Sequence, residues 1–326
     1  MRIVRTFGEM PAELQGGVIA LGNFDGLHLG HQAVIGAAVQ AAEAVGVPSG
    51  VMTFEPHPRQ FFRPDDPPFR LSPFRIKARL IESMGVDYLY TQTFDREFSR
   101  RTAENFVAEI LAGGLKVSRV VVGSDYVFGH QRKGTVALLQ AMAPAHGFAV
   151  TAVAERRDAN GPRYSSSNIR TALLEGRPQD AARLLGRYWE LEGRVEPGDR
   201  RGRLLGFPTA NLPHRDYIHP AKGVYAVRSG IDRGADTVWH DGVANFGNRP
   251  TFNKKDLLLE VHLFDVDQDL YGRHLRVALI DYLRPERKFE SLDALKAQIA
   301  ADGREARARL ARHGFAPGPA PYVAVE

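Results

Sequence analysis

Val18-Ile19-Ala20-Leu21-Gly22-Asn23-Phe24-Asp25-Gly26-Leu27-His28-Leu29-Gly30-His31 opens on four apolar residues with no polar one among them. That is the pattern of a short strand buried on both faces. Gly22 and Gly26 then bracket a tight turn, where the backbone can take a positive φ or approach a ligand closely. The Ala-rich amphipathic segment from Gln32 to Val45, stopped by Gly46 and Pro48, predicts a helix. His28 and His31 stand three apart at its start and so project from one face. Unpaired backbone N–H groups and the positive end of the helix dipole lie there too, and they suit a phosphate. Strand, glycine turn, paired histidines and helix N-terminus together describe a polyphosphate site.

Two other readings of the histidines stand beside this one: solvated surface residues, or half of a metal site. A metal would want more ligands; the chain has no cysteine, and neither His57 nor His130 lies in a ligand-spaced cluster. The glycines at 22, 26 and 30 are four apart, which departs from the Gly-x-Gly-x-x-Gly dinucleotide fingerprint. The whole string Gly-Asn-Phe-Asp-Gly-x-His-x-Gly-His, however, resembles the adenylyl-transfer signature of bacterial bifunctional riboflavin kinase/FMN adenylyltransferases, often called FAD synthetases. These belong to the wider His-x-Gly-His nucleotidyltransferase superfamily. The resemblance implies an ATP site drawing on Gly22, Asn23, Phe24, Asp25, His28 and His31. The two histidines would then stabilise charge on the transferring and leaving phosphates.

At 326 residues the chain is long for one domain, and two are expected. Hydrophobic residues at 44% and charged residues at 25% give an ordinary globular balance. No apolar run approaches the roughly 18 residues of a membrane span, and Met1 to Gln15 carries no secretory pattern. The absence of cysteine excludes disulfides and thiol catalysis and fits a cytoplasmic enzyme. A formal net charge of +5 favours anionic partners. It is spread over single arginines rather than basic blocks, so nucleotides explain it at least as well as nucleic acid does.

Strand-like and helical runs alternate through the first half. Val51 to Phe54, Tyr88 to Tyr90, Arg119 to Gly123 and Ala149 to Ala154 read as strands. Phe74 to Met84, Thr102 to Leu111 and Thr135 to Met142 read as helices. The alternation predicts a doubly wound parallel sheet, with ligands beyond the carboxyl ends of its strands. Three segments fall at such ends. Phe54 to Arg59 contains Pro56, His57 and Pro58, with Phe61 and Phe62 close behind; a rigid turn over core aromatics explains it as well as a ligand does. Gly123-Ser124-Asp125-Tyr126 follows the Val-rich strand. Ser165-Ser166-Ser167-Asn168-Ile169-Arg170 precedes an apolar helical run, and its hydroxyls are first of all N-caps. Three hydroxyls with an arginine one turn later also offer donors and a cation to a triphosphate. The family resemblance implies that Ser166, Ser167 and Arg170 clamp ATP, that Gly123 and Asp125 lie on the nucleotide side, and that Pro56, His57, Pro58 and Phe62 hold the flavin. Tyr126 stands where the family usually has Phe.

Two short helices, Ile169 to Leu174 and Gln179 to Leu185, end at Gly186, where the domain boundary is placed: residues 1–186 and 187–326. Beyond it, strands at Glu190 to Val195, Gly223 to Val227, Thr237 to Ala244, Leu257 to Phe264 and Leu275 to Tyr282 follow one another without crossover helices. They predict a small antiparallel barrel closed by a helix over Leu292 to Ala301. Gly198 to Leu212 is glycine-rich and basic and ends in Pro208-Thr209-Ala210-Asn211. A mobile hairpin would read the same way, but a hydroxyl and an amide carbonyl two apart can both meet one Mg²⁺. Pro-Thr-Ala-Asn resembles the motif of riboflavin kinases. Lys222 to Tyr225, Asn245 to Phe252, Leu259 to Phe264, Asp269 to Gly272 and Leu283 to Phe289 match its companions in order, so the resemblance covers about residues 15 to 300.

That second resemblance implies ATP held by Gly202, Gly206, Pro208, Thr209 and Asn211, with Mg²⁺ on Thr209 and Asn211. Riboflavin would meet Asn245, Arg249 and Arg284. Glu260 would be the base, although the alternation Glu260/His262 also suits the wet face of a barrel strand. The implied enzyme makes FMN from riboflavin and then FAD from FMN, with ATP as co-substrate of both steps and Mg²⁺ as cofactor. It would need small molecules alone, without nucleic acid or membrane, as a monomer or weak homo-oligomer. A chain with one degenerate site, a flavin-storage module and a basic nucleic-acid binder are the alternatives. The last would need clustered basic stripes that the sequence lacks.

Overall fold

The computed structural model describes residues 1–158, 161–197, 206–213, 216–248 and 257–315. The chain divides into two compact units. One comprises Met1–Pro67 with Ser72–Ser165, the other Pro68–Leu71 with the described residues from Ser166 onward.

The first unit contains β1 (Arg2–Val4), β2 (Val18–Leu21), β3 (Ser49–Glu55), β4 (Tyr88–Thr93), β5 (Arg119–Gly123), the two-residue ribbon β6 (Val127–Phe128) and β7 (Gly134–Thr135), and β8 (Ala149–Val153). Its main sheet runs β1-β4-β3-β2-β5-β8, with every neighbouring pair parallel. From β2 the chain steps outward through β3 and β4, then returns to lay β5 on the other side of β2. The strand order therefore reverses between β2 and β5, the place where such sheets bind ligands. The four residues of β2 are buried because strands flank them on both sides and helices cover the faces. One face packs Ile19, Leu21, Met52, Val120 and Val122 against Phe106, Val107 and Ile110.

The helices of this unit are α1 (Leu29–Glu43), α2 (Pro58–Phe62), α3 (Phe74–Glu82), α4 (Arg96–Ser99), α5 (Ala103–Asn105) and α6 (Val136–Met142). Helix α1 starts three residues earlier than the apolar pattern predicts, because His28 itself caps it. The expected helix from Thr102 is α5 continued by a wider π-wound segment, Phe106–Gly114, that runs through both glycines.

The second unit contains α7 (Ser166–Leu174), α8 (Pro178–Leu185), β9 (Trp189–Arg194), β10 (Ala210–Leu212), β11 (Gly223–Ile231), β12 (His240–Asn248), β13 (Leu257–Leu263), β14 (His274–Arg284) and α9 (Leu292–Leu310). Its sheet is antiparallel throughout, in the order β10-β13-β12-β11-β14-β9. The sheet curls until its ends meet: Glu196, just past β9, pairs with Asn211 of β10, its N–H donating to the Asn211 carbonyl at 2.9 Å. Helix α9 lays Ala306 and Leu310 onto Val224, Ala226, Ala278 and Ile280. It runs nine residues beyond the expected end at Ala301. Asp302 and Gly303 look like a stop in sequence. Tertiary contacts carry the helix through them, since both oxygens of Asp302 accept from Arg284 at 2.8 and 2.6 Å.

Candidate active sites

In the first unit the turn after β2 is held in an unusual backbone. Phe24 and Leu27 have φ of 49° and 42°, and Gly26 has φ of 83°. A left-handed non-glycine residue costs on the order of 1–3 kcal/mol and persists only where its surroundings fix it. Here they do so with Asp25, which is buried. Its Oδ1 accepts from the Ser72 N–H at 2.9 Å and the Ser72 hydroxyl at 3.3 Å, and Gly26 N–H donates to Ser72 Oγ at 2.8 Å. Asp25, expected at the nucleotide, is thus also the anchor of the turn.

His28 is buried and caps α1, its Nδ1 accepting from the His31 N–H at 3.2 Å. The two imidazoles stack with centroids 3.6 Å apart and planes at 19°, and the edge of His31 meets the Phe24 ring at 5.3 Å. Gly30 permits this approach, for a Cβ there would lie 3.1 Å from the His28 ring. Two imidazoles and the N-terminus of a fifteen-residue helix therefore converge at the carboxyl end of β2, an arrangement that suits phosphate oxygens. Asn23 is exposed on the same turn, next to Gly22.

Gly123 ends β5, the strand across the reversal, and Asp125 is exposed two residues on. Tyr126 stacks on Phe128 at 5.7 Å, and burial pushes its phenol well above the usual tyrosine range. Beyond β3, Pro56 precedes His57, which caps α2 by accepting from Arg59 N–H at 3.1 Å, while Pro58 begins that helix. Phe62 is 63% exposed, yet it lies edge-on to Phe61 and Phe94 at 5.2 and 5.7 Å. An aromatic surface of this kind suits a planar ligand.

Ser166, Ser167 and Arg170 belong to the second unit, on the first turns of α7. Arg170 Nε donates to the Phe69 carbonyl at 2.8 Å, and its guanidinium stands 5.4 Å from the centroid of the Phe69 ring.

The barrel groups a second set. Asn211 of β10 and Asn245 of β12 are both register partners of Glu260, on β13 between them. Directly opposite residues on paired strands share a face, so Asn211, Glu260 and Asn245 form one row across three strands. Leu259, Val261 and Leu263 point to the other face and are buried. Thr209 lies two residues before Asn211, just ahead of β10. His262, two after Glu260, donates from Nδ1 to the Pro208 carbonyl at 2.8 Å and so braces Pro208-Thr209. Asn211 is buried, and among the described residues its Oδ1 has no hydrogen-bond partner. A carbonyl oxygen held dry beside a carboxylate fits a hard divalent cation such as Mg²⁺.

Gly206 is exposed with φ of 86°; Gly202 and Arg249 lie outside the described residues. Arg284 gives its Nε and Nη2 to Asp302, with Nη1 on the Pro285 carbonyl at 3.0 Å. Sequence reasoning missed Ser72, Asp302 and Glu286. Asn245 Nδ2 donates to Glu286 Oε1 at 3.5 Å, and a Cβ on Gly247 would overlap that carboxylate. Glu286 lies within the matched stretch Leu283 to Phe289 but was not singled out there, and Gly247 was a second signal for it.

Comparison with known proteins places both units. The FAD synthetase family model matches residues 10–168, and the riboflavin kinase model matches residues 185–310. Bifunctional riboflavin kinase/FMN adenylyltransferase of Escherichia coli K12 is 42% identical over 94% of this chain and 97% of its own. The Haemophilus influenzae protein of that name is 39% identical over 94% and 99%, and the Bacillus subtilis one 38% over 89% and 91%. A solved structure named as a macrolide-efflux protein from Streptococcus pneumoniae superposes on 94% of this chain and 98% of its own, with a TM-score of 0.82 at 33% identity.

Proposed function

The chain belongs to the bifunctional riboflavin kinase/FMN adenylyltransferase family, and on that premise we propose how its residues divide the work. The enzyme phosphorylates riboflavin to FMN with ATP, then adenylylates FMN with ATP to give FAD and pyrophosphate. We assign kinase chemistry to residues 187–326 and adenylyl transfer to residues 1–186. The observation that carries this division is that each unit has its own polar constellation. One is the row Asn211–Glu260–Asn245, and the other is the stacked pair His28–His31 at a helix N-terminus.

In the kinase half, Glu260 accepts the proton of the ribityl 5′-hydroxyl as that oxygen attacks the γ-phosphorus of ATP. Thr209 and Asn211 would hold Mg²⁺ on the ATP phosphates, which the buried Asn211 carbonyl oxygen supports. When bound, that ion would offset the negative charge on the phosphates and so lessen their repulsion of the incoming oxygen. The glycine loop at Gly202 and Gly206, with Pro208, cradles the nucleotide. Asn245, Arg249 and Arg284 orient riboflavin so that its hydroxyl lies in line for attack.

In the adenylyl half, a phosphate oxygen of FMN attacks the α-phosphorus of ATP and pyrophosphate leaves. That oxygen is already anionic, so the step needs no general base. His28 and His31 hydrogen-bond the phosphates as negative charge builds on them. Gly22, Asn23, Phe24 and Asp25 shape the turn that receives the nucleotide, with Gly123 and Asp125 across the strand reversal. Ser166, Ser167 and Arg170 supply further donors and a cation, and Pro56, His57, Pro58 and Phe62 accommodate the flavin.

No helix among the described residues is long and apolar enough to cross a membrane. We place the enzyme in the cytoplasm, acting on small molecules without nucleic acid or membrane, as a monomer or weak homo-oligomer. A time course of the purified chain with riboflavin, ATP and Mg²⁺, with flavins separated by chromatography, tests the proposal. FMN should rise first and then give way to FAD. FMN as the sole product would refute the role given to the first unit.

A further inference from the structure

Helix α3 turns Ile76, Ala78, Leu80 and Ile81 into the first unit, and Lys77 is buried with them at 1% exposure. Its Nζ donates to Glu55 Oε1 at 3.0 Å and to Thr53 Oγ1 at 3.3 Å. Thr53 is fully buried on β3, and its hydroxyl donates in turn to the Asn23 carbonyl at 3.2 Å. A hydroxyl has one proton to give and lone pairs to accept with, so the direction Lys77 to Thr53 to Asn23 is chemically consistent. One ammonium therefore reaches two places. Through Thr53 it reaches the turn after β2, and through Glu55 it reaches the last residue of β3, where Pro56-His57-Pro58 begins.

Stability alone does not call for this lysine. Burying an ammonium is costly, and a well-packed aliphatic side chain often serves a fold as well as a buried ion pair does. An aliphatic side chain cannot, however, donate to Thr53 and to Glu55, and so cannot tie both to one point. The Asn23 carbonyl immediately precedes Phe24, whose left-handed backbone needs holding.

We propose that Lys77 is a positioning residue for adenylyl transfer. Acting through Thr53 and Glu55, it sets the phosphate turn at Asn23 and the flavin-side turn at Pro56 relative to each other. The proposal rests on the assignment of the turn after β2 to the ATP phosphates.

Steady-state FMN-to-FAD kinetics of the full-length Thr53→Val, Thr53→Ser, Lys77→Met and His28→Ala variants test it. Thr53→Val keeps the side-chain shape and removes only the hydroxyl. It should lower kcat about tenfold, short of the roughly hundredfold cost of a full 1 Å misplacement. KM for ATP should move much less. Thr53→Ser keeps the hydroxyl and should stay within about twofold of the unsubstituted enzyme, while Lys77→Met should lose more than Thr53→Val does. Riboflavin phosphorylation should be unchanged in all three. A packing role for Thr53 predicts the reverse order, Val near normal and Ser impaired, and that result overturns the proposal. If Lys77→Met does not fold, the Thr53 pair decides alone. His28→Ala separates the two levels of the argument. Full adenylylation in His28→Ala would remove the site assignment itself. Its loss there, with kcat intact in Thr53→Val, would remove the role of Lys77 only.

Discussion

Asn211 and Glu260 stand opposite each other on the paired strands β10 and β13. The amide oxygen of Asn211 is buried and, among the described residues, unpaired. An isolated amide oxygen sealed from water is destabilising by about 1–3 kcal/mol. Its retention beside a carboxylate makes sense if a cation on ATP fills the gap when substrate is present. On the roles proposed above, the pair would join metal binding and proton acceptance on one strand ladder.

Glu260→Gln keeps the size and loses the base. The kcat for riboflavin phosphorylation should fall by about 10²–10⁴-fold, the usual contribution of a positioned base. KM for ATP should change little, because the role proposed for Glu260 is on the hydroxyl and not on the nucleotide. A kcat within about threefold of normal would mean that no base is needed there.

Asn211→Leu should separate metal use from folding. Removing an unsatisfied buried amide should leave the melting temperature equal or slightly raised. The Mg²⁺ concentration giving half-maximal kinase activity should rise by about tenfold or more, in line with the loss of one oxygen ligand. An unchanged Mg²⁺ dependence would take Asn211 out of the metal site.

Arg284 and Asp302 hold α9 to the barrel. Asp302 is buried, and it also accepts from Gln298 Nε2 at 2.7 Å. Asp302→Ala should therefore lower the unfolding free energy by about 2 kcal/mol, less than a fully buried pair would lose because Arg284 keeps some exposure. Urea denaturation followed by circular dichroism measures this, and a loss under about 0.5 kcal/mol would contradict the anchoring role.

His219 lies half-buried beside Phe246, with ring centroids 6.0 Å apart. Burial first, and the charge of Lys222 second, hold its pKa below the ordinary histidine value of 6.5. The unfolded chain therefore takes up the proton before the folded one does. The related stability is present above pH 6.5 and is lost as pH falls through the lower folded value. Denaturation midpoints should be lower at pH 5 than at pH 7.5, and His219→Gln should narrow that gap. An identical pH slope in the variant would exclude His219 as a contributor.

The fold was legible wherever one period dominated. Val18 to Leu21 and Arg119 to Val122 announce buried parallel strands, and Leu257 to Leu263 alternates as a half-wet barrel strand should. The strand at Arg2–Val4 was not legible, for three residues at a sheet edge carry no period. Nor was Ala210–Leu212, which is strand only because it pairs with β13. The continuation of α9 through Asp302 and Gly303 depends on Arg284, eighteen residues before Asp302, and no local rule finds it. The candidate sites divide in the same way. His28 and His31 were legible from spacing at a helix start, and Thr209 and Asn211 from a motif. Ser72 and Lys77 were not, because their roles come from partners 47 and 22–24 residues away. A serine in a loop and a lysine on a helix carry no signal of that kind.

The most direct measurement is a crossed pair of reactions on two full-length variants, Glu260→Ala and His28→Ala. Each is given riboflavin with ATP and Mg²⁺, and separately FMN with ATP and Mg²⁺, with products resolved by chromatography. The account predicts that Glu260→Ala makes no FMN from riboflavin yet converts FMN to FAD, and that His28→Ala makes FMN and stops there. Loss of both activities in either folded variant, or retention of both, would contradict two separate sites with these roles.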